Sequence, residues 1–233
     1  MTDELNFHTY LNITNESFEI YLFDTSNFNN VYEDKILSNN KEQLDIEILD
    51  KFLDKNIFKI EKLIGKFVNN IFLIIESDEI QKIRFGTKKR NYQEKMNLKY
   101  LENTIREVKD LFVENYQDQK ILHIEVKNYL INGQNYSSFN EKIKVKNFSL
   151  EVEFIFVANN FSSKIEKILE KYQIKINKIL SQSFINNTFT SEEVQFSKKI
   201  CRIINGGNYN EVKIVPKNTT KKGFFERFFQ LFN

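Results

Sequence analysis

Few side chains in this 233-residue chain are of the kind that makes and breaks covalent bonds. His8 and His123 are its only histidines and Cys201 its only cysteine. No Cys/His cluster has the spacing of a metal site. His123 lies in the alternating run Ile121-Leu122-His123-Ile124-Glu125-Val126, so a strand histidine of core or surface is expected rather than a ligand or base. No Walker A loop, G-x-G-x-x-G or G-x-S-x-G occurs. Asn205-Gly206-Gly207-Asn208 follows a helical pattern and reads as a helix stop rather than a phosphate cradle. Carboxylates are many, yet none falls in a spacing that singles out a catalytic pair. The expectation is that the chain is not an enzyme.

Two patterns point to binding instead. Lys88-Lys89-Arg90, beside Phe85 and Tyr92, is a short basic-aromatic run. Without an RNP1 pattern it reads as a solvated hairpin tip, and no nucleic-acid partner is expected. A soluble module whose basic turn contacts nucleic acid is kept as the alternative. The second pattern is the end of the chain. Placed on a helix, Phe224, Phe225, Phe228, Phe229, Leu231 and Phe232 share an arc of roughly 160°. Glu226, Arg227, Gln230 and Asn233 fill the other side, and Lys221 and Lys222 stand where anionic headgroups would lie. This is the pattern of a helix lying in a membrane surface. The competing reading is a helix docked on its own core or on a partner.

The elements around these patterns follow from periodicity. Tyr10 to Phe23 reads as two strands with a turn near Thr14-Asn15-Glu16, and Val31 to Leu37 as a third strand. A long amphipathic helix runs from Ile46 through Leu49, Phe52, Leu53, Ile57 and Ile60 to a stop near Gly65. Asn70 to Glu76 is a buried-type strand, and Gln81 to Phe85 another strand. Asn97 would cap a helix whose buried stripe is Leu98, Leu101, Ile105, Val108, Leu111 and Phe112, with Glu102, Arg106 and Asp110 on its wet side. Ile121 to Val126, with Leu122, Ile124 and Val126 on one face, is a half-buried strand. So is Phe148 to Phe156, with Leu150, Val152 and Phe154 between. Phe161, Ile165, Ile168, Leu169 and Tyr172 line a helix, and Ile174 to Leu180 is β-rich. Ser183 to Glu193 is polar. Val194, Ile200, Ile203 and Ile204 suggest a further helix, and Val212 to Val215 a short strand.

The bulk numbers fit a folded chain with a real core. Hydrophobic residues make up 41% and charged residues 28%, and a net charge of +2 creates no global basic field. A single cysteine allows no internal disulfide, which fits a reducing cytoplasm. The acidic start, Met1-Thr2-Asp3-Glu4, lacks the apolar region of a signal peptide. The longest apolar run, Ile71 to Ile75, is far short of the ~20 residues of a spanning helix.

The order of these elements resembles the bacterial division actin FtsA family. Tyr10-Leu11-Asn12-Ile13-Thr14-Asn15 sits where that family has a first strand and phosphate loop of the type L-D-I-G-T-S. Asn70-Ile71-Phe72-Leu73-Ile74-Ile75 resembles the strand leaving subdomain 1A. Ile121-Leu122-His123-Ile124 followed by Tyr129-Leu130-Ile131-Asn132-Gly133 resembles I-L-H and a Y-x-I-D-G turn. Leu150-Glu151-Val152-Glu153 resembles an E-V-E/H-V strand, and Leu169 to Ile176 a V-E-R-C-G-L-K-V crossover.

The resemblance implies an α/β (α+β) fold: a partial actin-like, ribonuclease H-like subdomain with an inserted SHS2-like subdomain and a C-terminal amphipathic helix. Residues 1–78 and 174–190 would form a reduced subdomain 1A and 79–173 subdomain 1C. Residues 191–220 would be a connector and 221–233 the membrane-targeting helix. It implies a membrane-associated adaptor on the cytoplasmic face of the plasma membrane. Its partners would be an anionic membrane surface and division proteins, FtsZ or further copies of itself. Asn12 replaces the family Asp that organises metal and water, and Thr14 replaces the Gly that lets backbone approach phosphate. The second phosphate loop and subdomains 2A and 2B have no counterpart in the sequence, so no cofactor, ATP included, is expected.

Overall fold

The computed structural model describes residues 7–38, 44–90, 98–138, 145–190, 194–208 and 210–212. In chain order the elements are β1 (Phe7–Thr14), β2 (Ser17–Asp24), β3 (Asn29–Leu37), α1 (Ile46–Ile64), β4 (Asn70–Glu76), β5 (Ile80–Arg90) and α2 (Leu98–Asn115). They continue with β6 (Gln119–Ile131), β7 (Gln134–Tyr136), β8 (Asn147–Ala158), α3 (Asn159–Glu170), β9 (Lys175–Ser181), α4 (Gln182–Thr188) and α5 (Phe196–Ile204). The chain divides into unit 1, Met1–Ile80 with Asn159–Gly207, and unit 2, Gln81–Ala158 with Asn208–Asn233.

Unit 1 is built on a five-stranded sheet in the order β3-β2-β1-β4-β9. β1 pairs antiparallel with β2 and parallel with β4, and β4 pairs parallel with β9. A hairpin suffices for the first contact, but each parallel contact needs a crossover. α1 carries the chain from β3 to β4, and the Gln81–Ala158 part of unit 2 followed by α3 carries it from β4 to β9. α1 packs on β2 and β3, α4 on β4 and β9, α3 on β9 and α5 on β3. With helices over the sheet, β1 is buried without alternation from Thr9 to Ile13, and β4 from Leu73 to Ile75. α1 starts at Asp45, whose carboxylate accepts from the Ile48 N–H at 3.1 Å. It ends at Gly65, whose φ of 68° lets its N–H reach the Glu61 carbonyl.

Unit 2 is a four-stranded sheet, β5-β8-β6-β7. β6 and β8 pair antiparallel along almost their whole length. The alternating Phe148, Leu150, Val152, Phe154 and Phe156 meet Leu101, Ile105, Val108 and Phe112 of α2 in one apolar cluster. At its centre the Phe112 and Phe154 rings stack 4.7 Å apart and Phe85 meets Phe154 edge-on. β6 turns into β7 through Asn132 and Gly133, both at positive φ as a two-residue hairpin of this hand requires. Residues 210–212 lie along β6: the Val126 N–H donates to the Asn210 carbonyl and the Val212 N–H to the Ile124 carbonyl.

The mixed α/β fold with two sheets is the class expected from the sequence. Several local expectations need correction. The basic run Lys88-Lys89-Arg90 is not a hairpin tip but the end of β5, and Lys89 is ion-paired with Glu107 of α2. Glu102 is not on the wet side of α2: it is buried, and its Oε1 has no hydrogen-bond partner. Its neighbours in sequence are the core residue Leu101 and, one turn on, Ile105, so the helical wheel rotates it into the protein. Burial raises the Glu102 pKa, with Arg106 and Lys99 pulling the other way. The polar stretch after Ser181 begins with a helix, α4, because Ser181 caps it and Phe184 and Ile185 bury.

The insert was expected to span 79–173, but α3 belongs to unit 1, where it packs on β9 and leads to Tyr172 and Lys171 hydrogen-bonded to Asp50 of α1. The expected connector 191–220 contains α5 and the contacts of residues 210–212 with β6. β6 bulges between Ile121 and His123, so Leu122 does not continue the face of Ile124 and Val126. Asn97, Tyr92 and the strand expected to continue past Val212 lie outside the described residues.

Removing the ring at the centre of unit 2 should cost most. Phe154→Ala is expected to lose about 3–5 kcal/mol in urea unfolding, whereas Phe58→Ala, 69% exposed on α1, should stay within about 0.5 kcal/mol of the parent.

Candidate functional site

In an open α/β sheet, ligands enter outside the carboxyl ends of the strands, where neighbouring connections diverge. In unit 1 that place lies between β1 and β4: β1 leads on to β2 at one side and β4 leads, through unit 2 and α3, to β9 at the other. A cavity of about 470 Å³ opens there, lined by Asn12, Thr14 and Asn15, by Glu19, Tyr21 and Lys35, by Glu76 and Asp78, and by Gln182 and Phe196. A neighbouring cavity of about 480 Å³ shares Thr14, Asn15, Ser77 and Asp78 with it. Asn12 and Thr14, the two departures from the phosphate-loop pattern, therefore sit in one cleft.

The β1–β2 turn is closed by its own side chain. Thr14 Oγ1 accepts from the Glu16 N–H at 3.2 Å and the Ser17 N–H at 2.9 Å, and donates to the Ser17 carbonyl at 3.1 Å. The amides that a glycine at this position would leave for a ligand are thus held by a hydroxyl. Antiparallel register sets Asn12 opposite Glu19. Glu19 gathers Lys35 at 2.6 Å, the Tyr21 hydroxyl at 2.5 Å and the Asn12 amide at 3.1 Å. Burial works against the charged form of Glu19, but these donors outweigh it and keep its pKa below the ordinary value. Burial, with Glu19 beside it, pushes the Tyr21 phenol up. Glu76 Oε2 accepts from the Ser183 N–H at 2.7 Å, so a carboxylate also occupies the start of α4.

The remaining candidates lie elsewhere. His8, at the start of β1, packs against Phe72, and burial lowers its pKa. His123 is buried in unit 2 with Nδ1 2.8 Å from Glu211 Oε1. Cys201 is buried beside Tyr10 in unit 1. Among the described residues, no group of three or more His, Cys, Asp or Glu is placed to hold a metal ion. No helix among them is long and apolar enough to cross a membrane. The expected membrane-binding residues Lys221, Lys222, Phe224, Phe225, Phe228, Phe229, Leu231 and Phe232 lie outside the described residues. Sequence reading missed Glu19, Lys35, Glu76 and Asp78. The register implied by the Thr14-Asn15-Glu16 turn would have found Glu19, since it places that residue across from Asn12.

No protein-family model matches the chain, and no curated protein matches it by sequence. Solved structures are similar at low identity. One is a PilM-PilN type IV pilus biogenesis complex, with 8% identity, a TM-score of 0.49, and coverage of 77% of this chain and 48% of that one. Another is the cytoplasmic domain of EpsL, an inner-membrane component of the type II secretion system of Vibrio cholerae, with 7% identity, a TM-score of 0.41, and coverage of 77% and 59%. A third, from Bacteroides thetaiotaomicron, is a protein with actin-like ATPase fold and unknown function, with 13% identity, a TM-score of 0.35, and coverage of 83% and 61%. The chain spans roughly half to three-fifths of the length of these structures. Likenesses at this level carry no argument for a shared activity or partner.

The Glu19 network has a pH signature. A carboxylate whose folded pKa is depressed contributes stability above its unfolded value, 4.5 for Glu19, and loses it as pH falls through the folded value. Thermal melts of Glu19→Gln should therefore be lower than the parent at neutral pH, and the gap should close as pH falls below 4.5. Part of the acid slope should survive, because the Asn27 amide holds the Asp24 pKa down and Lys171 that of Asp50.

Proposed function

We propose that the chain is a non-catalytic, FtsA-like adaptor that holds protein partners at the inner face of the plasma membrane. The observation that carries the non-catalytic part is the closed β1–β2 turn. Thr14 takes the amides of Glu16 and Ser17, and the carboxylates of Glu19 and Glu76 occupy donors around the cleft. A polyphosphate entering here would meet acceptors rather than donors, at a like-charge cost. Calorimetry with Mg-ATP is expected to give no binding in the low micromolar range; a dissociation constant at or below that range overturns this part of the reading.

The membrane part rests on the Phe-rich arc of residues 224–232 and the two lysines before it. A buried Phe contributes about 1.5–3 kcal/mol when fully removed from water. Partial insertion and helix ordering leave much less, so one tail binds weakly. The lysines strengthen it on anionic lipid, and assembly adds avidity. The full chain should sediment with vesicles rich in anionic lipid. A truncation after Lys217, and separately Phe228→Asp combined with Phe229→Asp, should remain in the supernatant. If the double variant still sediments, the tail is not the anchor.

The partner surface is proposed on the SHS2-like unit 2, along the edge of its sheet and α2. β5 is an edge of that sheet among the described residues, and an edge offers N–H and C=O groups to an added strand. Division proteins, FtsZ or a second copy are the partners this reading names. The nucleic-acid alternative is less favoured, because Lys89 spends its charge on Glu107 within the unit.

A further inference from the structure

The cleft that is closed to phosphate has the opposite polarity to an anion site. Four carboxylates, Glu16, Glu19, Glu76 and Asp78, line it, and the one ammonium among its described lining residues, Lys35, is engaged with Glu19. A cluster of acids alone says little, since exposed carboxylates are ordinarily just hydrated. The second observation is beneath them. Asn12 is only 2% exposed, its amide nitrogen is spent on Glu19, and its Oδ1 has no hydrogen-bond partner. Gln182 Oε1, on the same cavity, is buried and equally without a donor. A buried acceptor left unpaired is destabilising, so a donor reaching these atoms is favoured.

We propose that this cleft binds an organic cation, an ammonium or guanidinium group carried either by a polyamine or by a basic side chain of a protein. Such groups present several N–H donors and no acceptor, the complement of this lining. A divalent metal fits less well. It needs several oxygens converging on one point, and among the described residues no three acids or histidines do so. The cavity, about 470 Å³, lies within the range of small-molecule sites. Asp78, exposed, would meet the cation first, and Asn12 and Gln182 would meet its inner N–H groups. The inference goes beyond the adaptor reading, whose vesicle test is independent of it.

The test uses the full chain, with spermidine and a tetra-arginine peptide as cationic probes and tripolyphosphate as the anionic one. Calorimetry and thermal shift are expected to show saturable binding of at least one cation and none of tripolyphosphate. Binding of spermidine alone assigns the site to a free polyamine; binding of the peptide alone assigns it to a partner's side chain. Asp78→Lys places an ammonium at the mouth and should weaken binding at least about tenfold. Asp110→Lys changes net charge equally but lies on α2 in unit 2, and should leave binding within about twofold. Circular dichroism of both variants should match the parent, and Asn12→Leu should weaken binding if it folds. Equal weakening by the two lysine variants means diffuse attraction and overturns the proposal. So does stabilisation by tripolyphosphate, or the absence of saturable cation binding.

Discussion

β1 has neither a free edge nor a free face. Its backbone is committed on one side to β2 and on the other to β4, and its side chains from Thr9 to Ile13 are buried. Every unpaired amide in such a strand would cost about as much as a lost hydrogen bond with no water to replace it. That requirement holds the register of both neighbours. A slip of β1 by one residue would send Leu11 and Ile13 to the face that holds Glu19 and Tyr21. The local chemistry of unit 1 follows from this pairing.

The cleft illustrates the point. Asn12 and Glu19 meet because β1 and β2 are joined by the shortest of turns, and that turn is short because Thr14 bonds the amides of Glu16 and Ser17. With a glycine in place of Thr14 the same amides would lose their hydroxyl acceptor. The Thr14 hydroxyl holds the turn's amides, and the carboxylates of Glu19, Glu76 and Asp78 add the acceptor character of the cleft. Lys35 sits above Glu19 with its side chain 57% exposed, so their ion pair adds little stability; its larger effect is to hold the carboxylate in place.

What could be read from the sequence was what depends on near neighbours. The alternation of Phe148 to Phe156 and the αL stop at Gly65 are consequences of local geometry, and the structure places β8 and the end of α1 there. What escaped depended on distant residues. Lys88 to Arg90 looked like a turn because three cations in a row favour water, yet Lys89 meets Glu107, eighteen residues on in α2. Glu102 looked wet because it can pair with Arg106, but the side of α2 that carries it is covered. α3 follows the insert without a break, and only its packing on β9, reached after the helix, assigns it to the other unit. In the cleft, Asn12 and Thr14 were visible as departures from a motif. Glu76 and Asp78 were not, because nothing in their own spacing marks the end of β4 as a neighbour of the β1 turn.

Residues 210–212 hold two backbone hydrogen bonds to β6, and Glu211 reaches the buried His123. The chain after α5 is thereby returned to unit 2 and laid against a strand that β8 backs along almost its entire length.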